Sequence, residues 1–513
     1  RSEGVPLHRL EGLRSFYPVF RRQASAPLQV QVCRDVVCRL AGGSGHCQNI
    51  RDALRGRTDI EVTEVSCLGL CDQAPAAMIN HQPVSGAAGE IRDYALGVHQ
   101  PPAAGAVIHS WPSDHYASVE ARYGALRALL TDGNPDAVIQ ALKDAGLRGL
   151  GGAAFPAGMK WELTRRAGGA EKYVICNADE SEPGTFKDRV LLEQLPHLVL
   201  EGMLIGAWVV GAQRGIVYLR HEYDAAARAL EQAIAEAYAV GALGEAVFGS
   251  AFRFDLEIFI SPGGYIMGEE TALLEALEDR RGEPRNKPPF PTNAGLYGKP
   301  TLINNVETFA AVPAICSRGV DWWAAQGKPG FKGLKYVSVA GDVARPGVYC
   351  VPWGSTAREV LELCGGMAAG RALKAFSPGG ASTPFLPADR LDTPLDFQAM
   401  QAAGSALGTG AMLFVAEHRD LLDVVLAQVR FFRNESCGKC VPCRVGSQKA
   451  VEMVEQVLAG EQSRSLIGLS ELHQTLVKTS ICGLGQVALL SLVEALDKFP
   501  AEPSLQPLRG EQA

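Results

Sequence analysis

The hydrophobic pattern divides the chain into regions of different periodicity. Leu28–Val32 alternates apolar and polar residues as a strand does, and Asp59–Val65 is a second predicted strand. From residue 173 short apolar runs alternate with longer helical segments, and from residue 420 the helical spacing dominates. This pattern predicts an α/β chain of several domains that ends in a helical bundle.

The middle of the chain carries the clearest alternation of strands and helices. A glycine-rich segment at 146–158 follows a helical stretch and precedes the first strand of this part. The predicted elements are strands at Tyr173–Cys176, Ile216–Leu219 and Phe252–Ile260, helices at 118–145, Asp224–Val240 and Glu269–Asp279, a hairpin at Tyr336–Ala340 and Val348–Val351 with a helix at Thr356–Leu363, and helices near 420–433, 445–459, 467–479 and 485–498.

Changes of composition give the predicted domain boundaries. The Ala/Gly/Pro-rich stretch His99–Ala106 is typical of a linker. The predicted parts are a poorly structured lead at 1–27, a small α/β module at 28–98, a linker at 99–117, a larger α/β domain at 118–334, a β-rich domain at 335–415 and a helical domain at 416–513.

Composition and charge narrow the class of protein. Charged residues are 20% and hydrophobic residues 47%, as in ordinary soluble domains. The formal net charge of -7 gives no sign of a nucleic-acid-binding surface. Gly202–Ala212 is the most apolar run and is too short to cross a bilayer, so we expect a buried helix and no membrane segment. Residues 1–22 lack the apolar core of a secretory signal.

Cysteines crowd two parts of the chain. A disulfide framework belongs to much smaller secreted chains, so the thirteen cysteines predict metal sites in a cytoplasmic protein. Cys437, Cys440 and Cys443 form a Cys-x-x-Cys-x-x-Cys loop, and Cys482 is the candidate fourth ligand. Four thiolates suit a [4Fe–4S] cluster. Tetrahedral zinc and cysteines without a ligand role are the alternatives.

The N-terminal cysteines form two pairs. Cys33 and Cys38 follow the first predicted strand, and Cys67 and Cys71 follow the second. Four thiolates on two adjacent loops suit a [2Fe–2S] cluster. The alternative is a module of buried cysteines that has lost its cluster. Cys47 has no evident partner and is not predicted to be a ligand.

Glycine and polar residues mark a nucleotide site. Gly149, Gly151 and Gly152 lie in a loop whose backbone N–H groups could approach phosphates, and Lys160 adds a positive charge. A tight structural turn is the alternative. Polar side chains also follow the predicted strands, where α/β folds bind ligands. These residues are Asn177, Asp179, Glu180, Glu182, Tyr265, Gly268, Glu269, Glu270, Asn304 and Asn305.

These motifs resemble the flavin subunit of respiratory NADH dehydrogenase, complex I. The matching segments are Gly149–Lys160, Asn177–Arg189, Tyr265–Leu274, Lys287–Pro291 and the Cys437–Cys443 loop. The resemblance implies a thioredoxin-like [2Fe–2S] module, a Rossmann-like FMN domain, a β-grasp (SLBB-like) domain and a helical [4Fe–4S] domain. Met267 stands where complex I usually has Cys, and Leu150 where many relatives have Arg.

The resemblance also implies roles for single residues. FMN is expected to contact the glycine loop, Lys160, Asn177, Asp179, Glu180, Tyr265, Gly268, Glu269, Asn304 and Asn305. NAD(H) is expected to contact Phe155, Glu182, Glu270, Lys287 and Phe290, with the two phenylalanines around the adenine. Glu182 and Glu269 are the expected catalytic residues. No general acid or nucleophile is required, because the cofactor carries the hydride chemistry.

The fused N-terminal module resembles soluble relatives of complex I. Its size and the Ser261–Met267 segment are most similar to the beta subunit of NAD-dependent molybdenum formate dehydrogenases. That likeness implies a molybdenum-containing alpha subunit and a small [2Fe–2S] gamma subunit as partners, and electron flow from formate to NAD+. The diaphorase of an NAD-reducing hydrogenase or a complex I subunit is the alternative. A zinc- and nucleotide-binding scaffold is the alternative of a different class.

Overall fold

A computed structural model describes residues 5–101, 114, 116, 118–460 and 468–509. Most of the predicted linker at 99–117 therefore lies outside the described residues.

The N-terminal lead is not poorly structured, and that prediction is wrong for helix α1 (Leu7–Phe16). None of the residues of α1 is buried, and Leu13 and Phe16 are partly buried against the core. Tyr17 follows it, is buried, and donates a hydrogen bond from its hydroxyl to the Arg280 carbonyl at 2.8 Å. The segment is therefore ordered by the domain against which it packs.

The small module is built on one mixed sheet. Strand β1 lies between β2, to which it is parallel, and β3, to which it is antiparallel, and the order is β2-β1-β3-β4. Both strands predicted here are confirmed. The elements are β1 (Leu28–Cys33), α2 (Val36–Gly42), α3 (His46–Ala53), β2 (Ile60–Val65), β3 (Ala76–Ile79), β4 (Gln82–Ser85) and α4 (Ala88–Ala95).

The larger α/β domain has four parallel strands in the order β7-β6-β5-β8. The first strand of the domain thus pairs with both the second and the fourth, and the direction of winding changes between β5 and β8. The elements are α5 (Gly124–Asp132), α6 (Pro135–Asp144), α7 (Ala157–Arg166), β5 (Tyr173–Ala178), α8 (Lys187–Gln194), α9 (Pro196–Val210), β6 (Arg214–Arg220), α10 (Asp224–Ala239), β7 (Asp255–Ser261), α11 (Glu270–Leu277), α12 (Pro291–Ala294), β8 (Thr301–Asn305), α13 (Val306–Arg318) and α14 (Val320–Ala325).

Two predicted elements of this domain need correction. The helical stretch at 118–145 is two helices, because Gly133 is left-handed at φ 69° and Asn134 caps α6 by accepting from the Ala137 N–H at 3.2 Å. The strand predicted from Phe252 begins at Asp255, since Phe254 instead forms an isolated bridge with Gly244.

The β-rich domain is a five-stranded sheet with its own core. The predicted hairpin is confirmed, because β9 and β10 pair antiparallel. The strand order is β10-β9-β13-β11-β12, and β9 and β13 are parallel. The elements are β9 (Leu334–Gly341), β10 (Gly347–Pro352), α15 (Ala357–Leu363), β11 (Leu373–Ser377), β12 (Leu386–Pro387), α16 (Phe397–Ala402) and β13 (Ala411–Ala416).

The C-terminal region is helical, as predicted, with two differences. The helix predicted from residue 445 begins at Val441, and the helix predicted at 485–498 is broken after Val487. The helices are α17 (Leu421–Asn434), α18 (Val441–Leu458), α19 (Gly468–Thr479), α20 (Gly483–Val487) and α21 (Leu490–Lys498). Within the described residues no single helix is long and apolar enough to span a membrane. Helices α8 and α9 taken together have the length and composition of such a span, but the chain bends by 95° between them.

Candidate functional site

The predicted site residues of the α/β domain converge at the carboxyl edge of its sheet. Asn177 is the penultimate residue of β5 and donates to the Gly268 carbonyl at 2.8 Å. Asn304 and Asn305 end the neighbouring strand β8. Asn304 accepts from the Trp161 indole N–H at 3.2 Å, so its side chain is fixed from beneath. This edge is where the winding direction changes, which is the usual ligand site of such sheets.

The glycine loop forms a cradle beside these amides. The Gly149 N–H donates to the Phe155 carbonyl at 2.8 Å, which closes the loop. A Cβ at Gly151 would stand 2.9 Å from the Asn305 Cβ, and Gly152 has φ 110°. Side chains are therefore excluded where the loop meets β8, and the backbone is free to approach a phosphate.

Asp179 provides a buried acceptor without a partner. Its side chain is 8% exposed, and Oδ2 accepts no hydrogen bond. Oδ1 accepts from the Ser181 hydroxyl at 3.2 Å. Burial raises the pKa of Asp179 to about 8. A buried polar atom left without a partner indicates that a bound group completes this site.

A row of alternating charges borders the same edge. The Lys160 ammonium lies 3.5 Å from Glu270. Lys287 lies 3.0 Å from Glu270 and 2.9 Å from Glu269. Although burial alone would raise it, the pKa of Glu270 is lowered because Lys160 and Lys287 favour the carboxylate. Glu270 is thus a fixed negative charge at the open side of the site.

The carboxylates of Glu269 and Glu180 each accept hydrogen bonds from backbone N–H groups at the start of a helix. Glu269 Oε2 accepts the N–H groups of Thr271 and Ala272 at 2.9 Å and so caps α11. Glu180 accepts the N–H groups of residues 188 and 189 at 2.9 and 3.0 Å, and the Tyr223 hydroxyl at 3.0 Å. We interpret both side chains as residues that shape the site.

Glu182 lies under a loop of the β-rich domain. Its Oε1 accepts the Ser382 N–H at 2.8 Å, and a Cβ at Gly380 would stand 2.8 Å from the same oxygen. Burial raises the pKa of Glu182 to about 7. This carboxyl group can therefore change its charge near neutral pH.

Phe155 and Phe290 are the two aromatic residues predicted to hold an adenine. Their exposed fractions are 41% and 52%, large for such side chains. No ring-to-ring contact joins them in the part of the chain that the structure describes. Their role as a sandwich stays a prediction.

The four predicted N-terminal cysteine ligands come together in the structure. The neighbouring Cys38 and Cys67 thiols, together with burial, raise the pKa of the Cys33 thiol, and the sulfurs of Cys67 and Cys71 are 3.6 Å apart. The parallel pairing of β1 and β2 produces this arrangement. Cys33 pairs with Val65, so the loops that follow the two strands, which carry the other cysteines, begin side by side. Cys47 packs instead in a separate apolar cluster of the module.

The same loops contact the acidic segment that follows β5. The Gly184 N–H donates to the Cys71 sulfur at 3.4 Å. Arg220 donates to the Cys67 carbonyl at 2.6 Å, and Arg189 donates to the Gly69 carbonyl at 3.1 Å and to Asp72 at 2.8 Å. The N-terminal cysteine site is therefore fastened to the flank of the sheet-edge site.

The C-terminal cysteines gather around the start of α18. Cys440 is the N-cap residue and Cys443 lies in the first turn, where Ser436 contacts its sulfur at 3.2 Å. Helix α20 brings in the fourth cysteine, because a Cβ at Gly485 would stand only 2.9 Å from the Cys443 Cβ. Burial raises the pKa of Cys482 to about 12, with a smaller contribution from Cys437.

Glu435 and Lys439 join this cysteine loop to the sheet-edge site. Glu435 accepts the Tyr265 N–H at 2.8 Å with one oxygen and contacts the Ser66 hydroxyl with the other. Lys439 donates to the Pro284 carbonyl at 2.6 Å. One carboxylate thus touches the loop of Cys67, the loop of Gly268 and its own cysteine loop.

A buried charge cluster lies behind Asn305 and was not predicted from the sequence. Lys187 lies 2.7 Å from Asp188 and 2.9 Å from Glu307, and Lys335 lies 2.6 Å from Glu307. Asp188 accepts from Asn305 at 2.5 Å. Burial lowers the pKa of Lys335 to about 8. A signal existed, because Lys335 is the one charged residue in the sequence of β9.

The donor chemistry fits the implied cofactors. Each cysteine site offers four thiolates, the set that iron–sulfur clusters take. No group of three His, Cys, Asp or Glu side chains among the described residues is placed to hold a single metal ion. The glycine cradle and the unpartnered Asp179 oxygen fit a bound flavin nucleotide.

Four protein families match successive parts of the chain. The Nuo51 FMN-binding domain matches residues 142–314, and the NADH-ubiquinone oxidoreductase-F iron-sulfur binding region matches 423–504. The thioredoxin-like [2Fe-2S] ferredoxin family matches residues 1–91, and the SLBB domain matches 336–386. These matches support a [4Fe–4S] cluster over zinc at the C-terminal cysteines, and a [2Fe–2S] cluster over a module without a cluster at the N-terminal cysteines.

Similar proteins cover most of the chain. The NADH-quinone oxidoreductase F 2 protein of Rhizobium meliloti is 44% identical over 382 residues, 74% of this chain and 91% of that protein. The alpha subunit of the NAD-reducing hydrogenase HoxS of Cupriavidus necator is 39% identical over 520 residues, 95% of this chain and 84% of that protein.

A solved structure shares the fold over nearly the whole chain. It is that of an air-oxidized NAD+-reducing [NiFe]-hydrogenase, with a TM-score of 0.88, 34% identity, and coverage of 98% of this chain and 89% of that one. The matched domains account for FMN, NAD(H), a [2Fe–2S] cluster and a [4Fe–4S] cluster. The chain therefore belongs to the family of complex I-type flavin subunits, which includes the F component of NADH-quinone oxidoreductases.

Proposed function

We propose that this chain exchanges hydride with NAD(H) at a bound FMN and passes single electrons to or from a partner subunit through its iron–sulfur clusters. The observation that carries the proposal is the position of the sheet-edge site between two four-cysteine sites. Gly184 contacts Cys71 on one flank, and Glu435 and Lys439 contact the loops of Gly268 and Pro284 on the other. When bound, FMN supplies the conversion between two-electron and one-electron chemistry.

The protein's own residues position and insulate the reacting groups. The glycine loop and Lys160 would hold the flavin phosphate, and Asn177, Asn304 and Gly268 would border the ring. Glu270 and Lys287 would face the nucleotide at the open side, between the exposed rings of Phe155 and Phe290. Glu182 would lie near the nicotinamide, and its carboxyl group would gain or lose a proton near neutral pH. Glu269 would position Lys287 and the start of α11.

For the partner we propose the molybdenum subunit of an NAD-dependent formate dehydrogenase, with a small [2Fe–2S] gamma subunit. The Ser261–Met267 segment supports this choice through resemblance. A hydrogenase partner is the second candidate, because similarity to the HoxS alpha subunit extends over 95% of the chain. The thirteen cysteines, clustered at the spacing of metal ligands, agree with a reducing compartment, and we propose the cytoplasm.

Reconstitution separates these candidates. The chain alone, loaded with FMN and clusters, should reduce ferricyanide with NADH and should not oxidise formate or hydrogen. Formate-dependent NAD+ reduction after addition of the molybdenum subunit would support the first partner, and hydrogen-dependent reduction with a nickel–iron subunit the second. Oxidation of either substrate by the purified chain alone would contradict a role that depends on a partner.

A further inference from the structure

A second cavity lies away from the sheet-edge site, between the N-terminal module and α17. Its volume is about 210 Å³, and its walls include Cys33, the start of α3 and the side chains of Arg430 and Arg433. The cavity therefore reaches one predicted [2Fe–2S] ligand, Cys33.

The lining of this cavity is rich in positive charge. Arg34, Arg39, Arg430 and Arg433 face Asp35 and Glu64. Arg39 is matched outside the lining by Asp423 at 2.5 Å, and Arg430 by Glu455 at 2.8 Å.

Two of these arginines remain available to a ligand. Arg433 contacts the neutral side-chain oxygen of Asn434 at 3.0 Å, and Arg34 is exposed. Asp35 is occupied in turn by the Cys67 N–H at 2.6 Å. Arg34 and Arg433 are therefore the guanidinium groups of the lining that can donate hydrogen bonds to an anion.

His46 gives an independent indication of a ligand. Its side chain lines the cavity and is 7% exposed, yet its Nε2 has no hydrogen-bond partner. His46 is also the first residue of the eight-residue helix α3, whose N-cap Gly45 offers no side-chain cap. A helix start without a cap attracts negative charge. A buried nitrogen without a partner is rare unless a bound group satisfies it.

We propose that this cavity binds a small oxoanion, either free phosphate or the phosphate group of a small metabolite, held by His46, Arg34 and Arg433. Such a group would bridge α3 and α17 and so tie the N-terminal module to the helical domain beside Cys33. Its negative charge would also disfavour an added electron on the neighbouring cluster, so binding would lower that cluster's reduction potential.

Calorimetric titration of the FMN- and cluster-loaded chain with inorganic phosphate at low ionic strength tests the site. Arg433→Gln should weaken binding about tenfold, as expected for the loss of one charge-assisted hydrogen bond. His46→Asn should weaken it as well. Arg253→Gln is the matched control, because Arg253 lies at the far edge of the α/β domain and pairs with Glu245 and Asp255.

The remaining outcomes each decide a point. Ribose 5-phosphate binding tighter than inorganic phosphate would assign the site to a metabolite, and equal binding would assign it to the free ion. A potentiometric titration followed by electron paramagnetic resonance should give a lower potential of the [2Fe–2S] signal with phosphate. Unchanged binding in both Arg433→Gln and His46→Asn, or no binding to the loaded chain, would overturn the proposal.

Discussion

The two cysteine sites are assembled in different ways. In the N-terminal site all four cysteines are buried, and two paired strands place them on adjacent loops. In the C-terminal site three cysteines share one loop and helix start, and Cys482 arrives by the packing of α20 against Cys443. Three of these four are only partly buried. The first site depends on strand register, and the second depends on tertiary packing.

The sites also differ in how they meet the flavin edge. The N-terminal site is fastened by buried arginines, Arg189 and Arg220. The C-terminal site is joined through Glu435 and Lys439, which are less buried and lie on its own loop. The N-terminal site is thus held in place by residues of the α/β domain, whereas the C-terminal site makes its contacts with residues of its own loop.

The largest expected effect separates the two clusters. Cys440→Ala should remove about four irons per chain and abolish electron transfer to a partner, while leaving about two irons in the N-terminal site. Oxidation of NADH by ferricyanide should persist, since Cys440 contacts none of the sheet-edge residues described above. Iron analysis and electron paramagnetic resonance measure the result, with Cys316→Ala as the control. Full iron content in Cys440→Ala would contradict the ligand assignment.

Docking of the N-terminal site is the next test. Arg189→Met leaves Asp72 buried without its partner, since their side chains are 5% and 4% exposed. The free energy of unfolding should fall by about 3–5 kcal/mol, as for other broken buried pairs. Chemical denaturation measures it. Arg55→Met, whose side chain is 80% exposed, should cause no measurable change. A similar fall in the free energy of unfolding in both variants would mean that Arg189 stabilises the chain no more than an exposed arginine does.

A pH-dependent difference is expected at Glu182, which lies on the flank of the sheet-edge site that faces the N-terminal cysteines. Its pKa rises from 4.5 to about 7 on burial, so the folded chain loses stability as pH rises through that window. Glu182→Gln keeps the acceptor for Ser382 and removes this loss. The variant should gain on the order of 1–3 kcal/mol over the parent between about pH 5 and about pH 8. Glu245→Gln, at an exposed side chain, should gain nothing, and a pH-independent difference at Glu182 would refute the titration.

The smallest expected effect concerns the C-terminal side, where Lys287 and Glu270 lie. A carboxylate near the adenosine ribose disfavours a 2′-phosphate. Glu270→Gln should therefore raise the kcat/KM ratio of NADPH to NADH by about tenfold, which corresponds to ~1.4 kcal/mol. Steady-state kinetics with ferricyanide measure both substrates, and Glu257→Gln on β7 is the control. An unchanged ratio would remove Glu270 from cofactor selection.

The sequence predicted features that repeat locally. Strand alternation located β1 and β2, and the spacing of Cys437, Cys440 and Cys443 located their loop. It could not supply the features that exist only after packing. Glu435 and Ser66 are 369 residues apart, so their contact leaves no local pattern. Lys335 is an intermediate case. The sequence shows a charged residue within a strand, but it does not show that Glu307 is the partner of that charge.

The N-terminal module and the flavin domain belong to one polypeptide, so their association does not depend on protein concentration. The module meets the rest of the chain through the polar contacts of Arg189, Arg220 and Glu435 and through buried apolar residues such as Val36 and Leu40. Between separate chains such an association would depend on protein concentration. Within one chain each part experiences the other at an effective concentration on the order of millimolar. A single cluster-bearing module therefore accompanies every flavin site at any cellular abundance, and the ratio of the two does not depend on matched expression of two polypeptides.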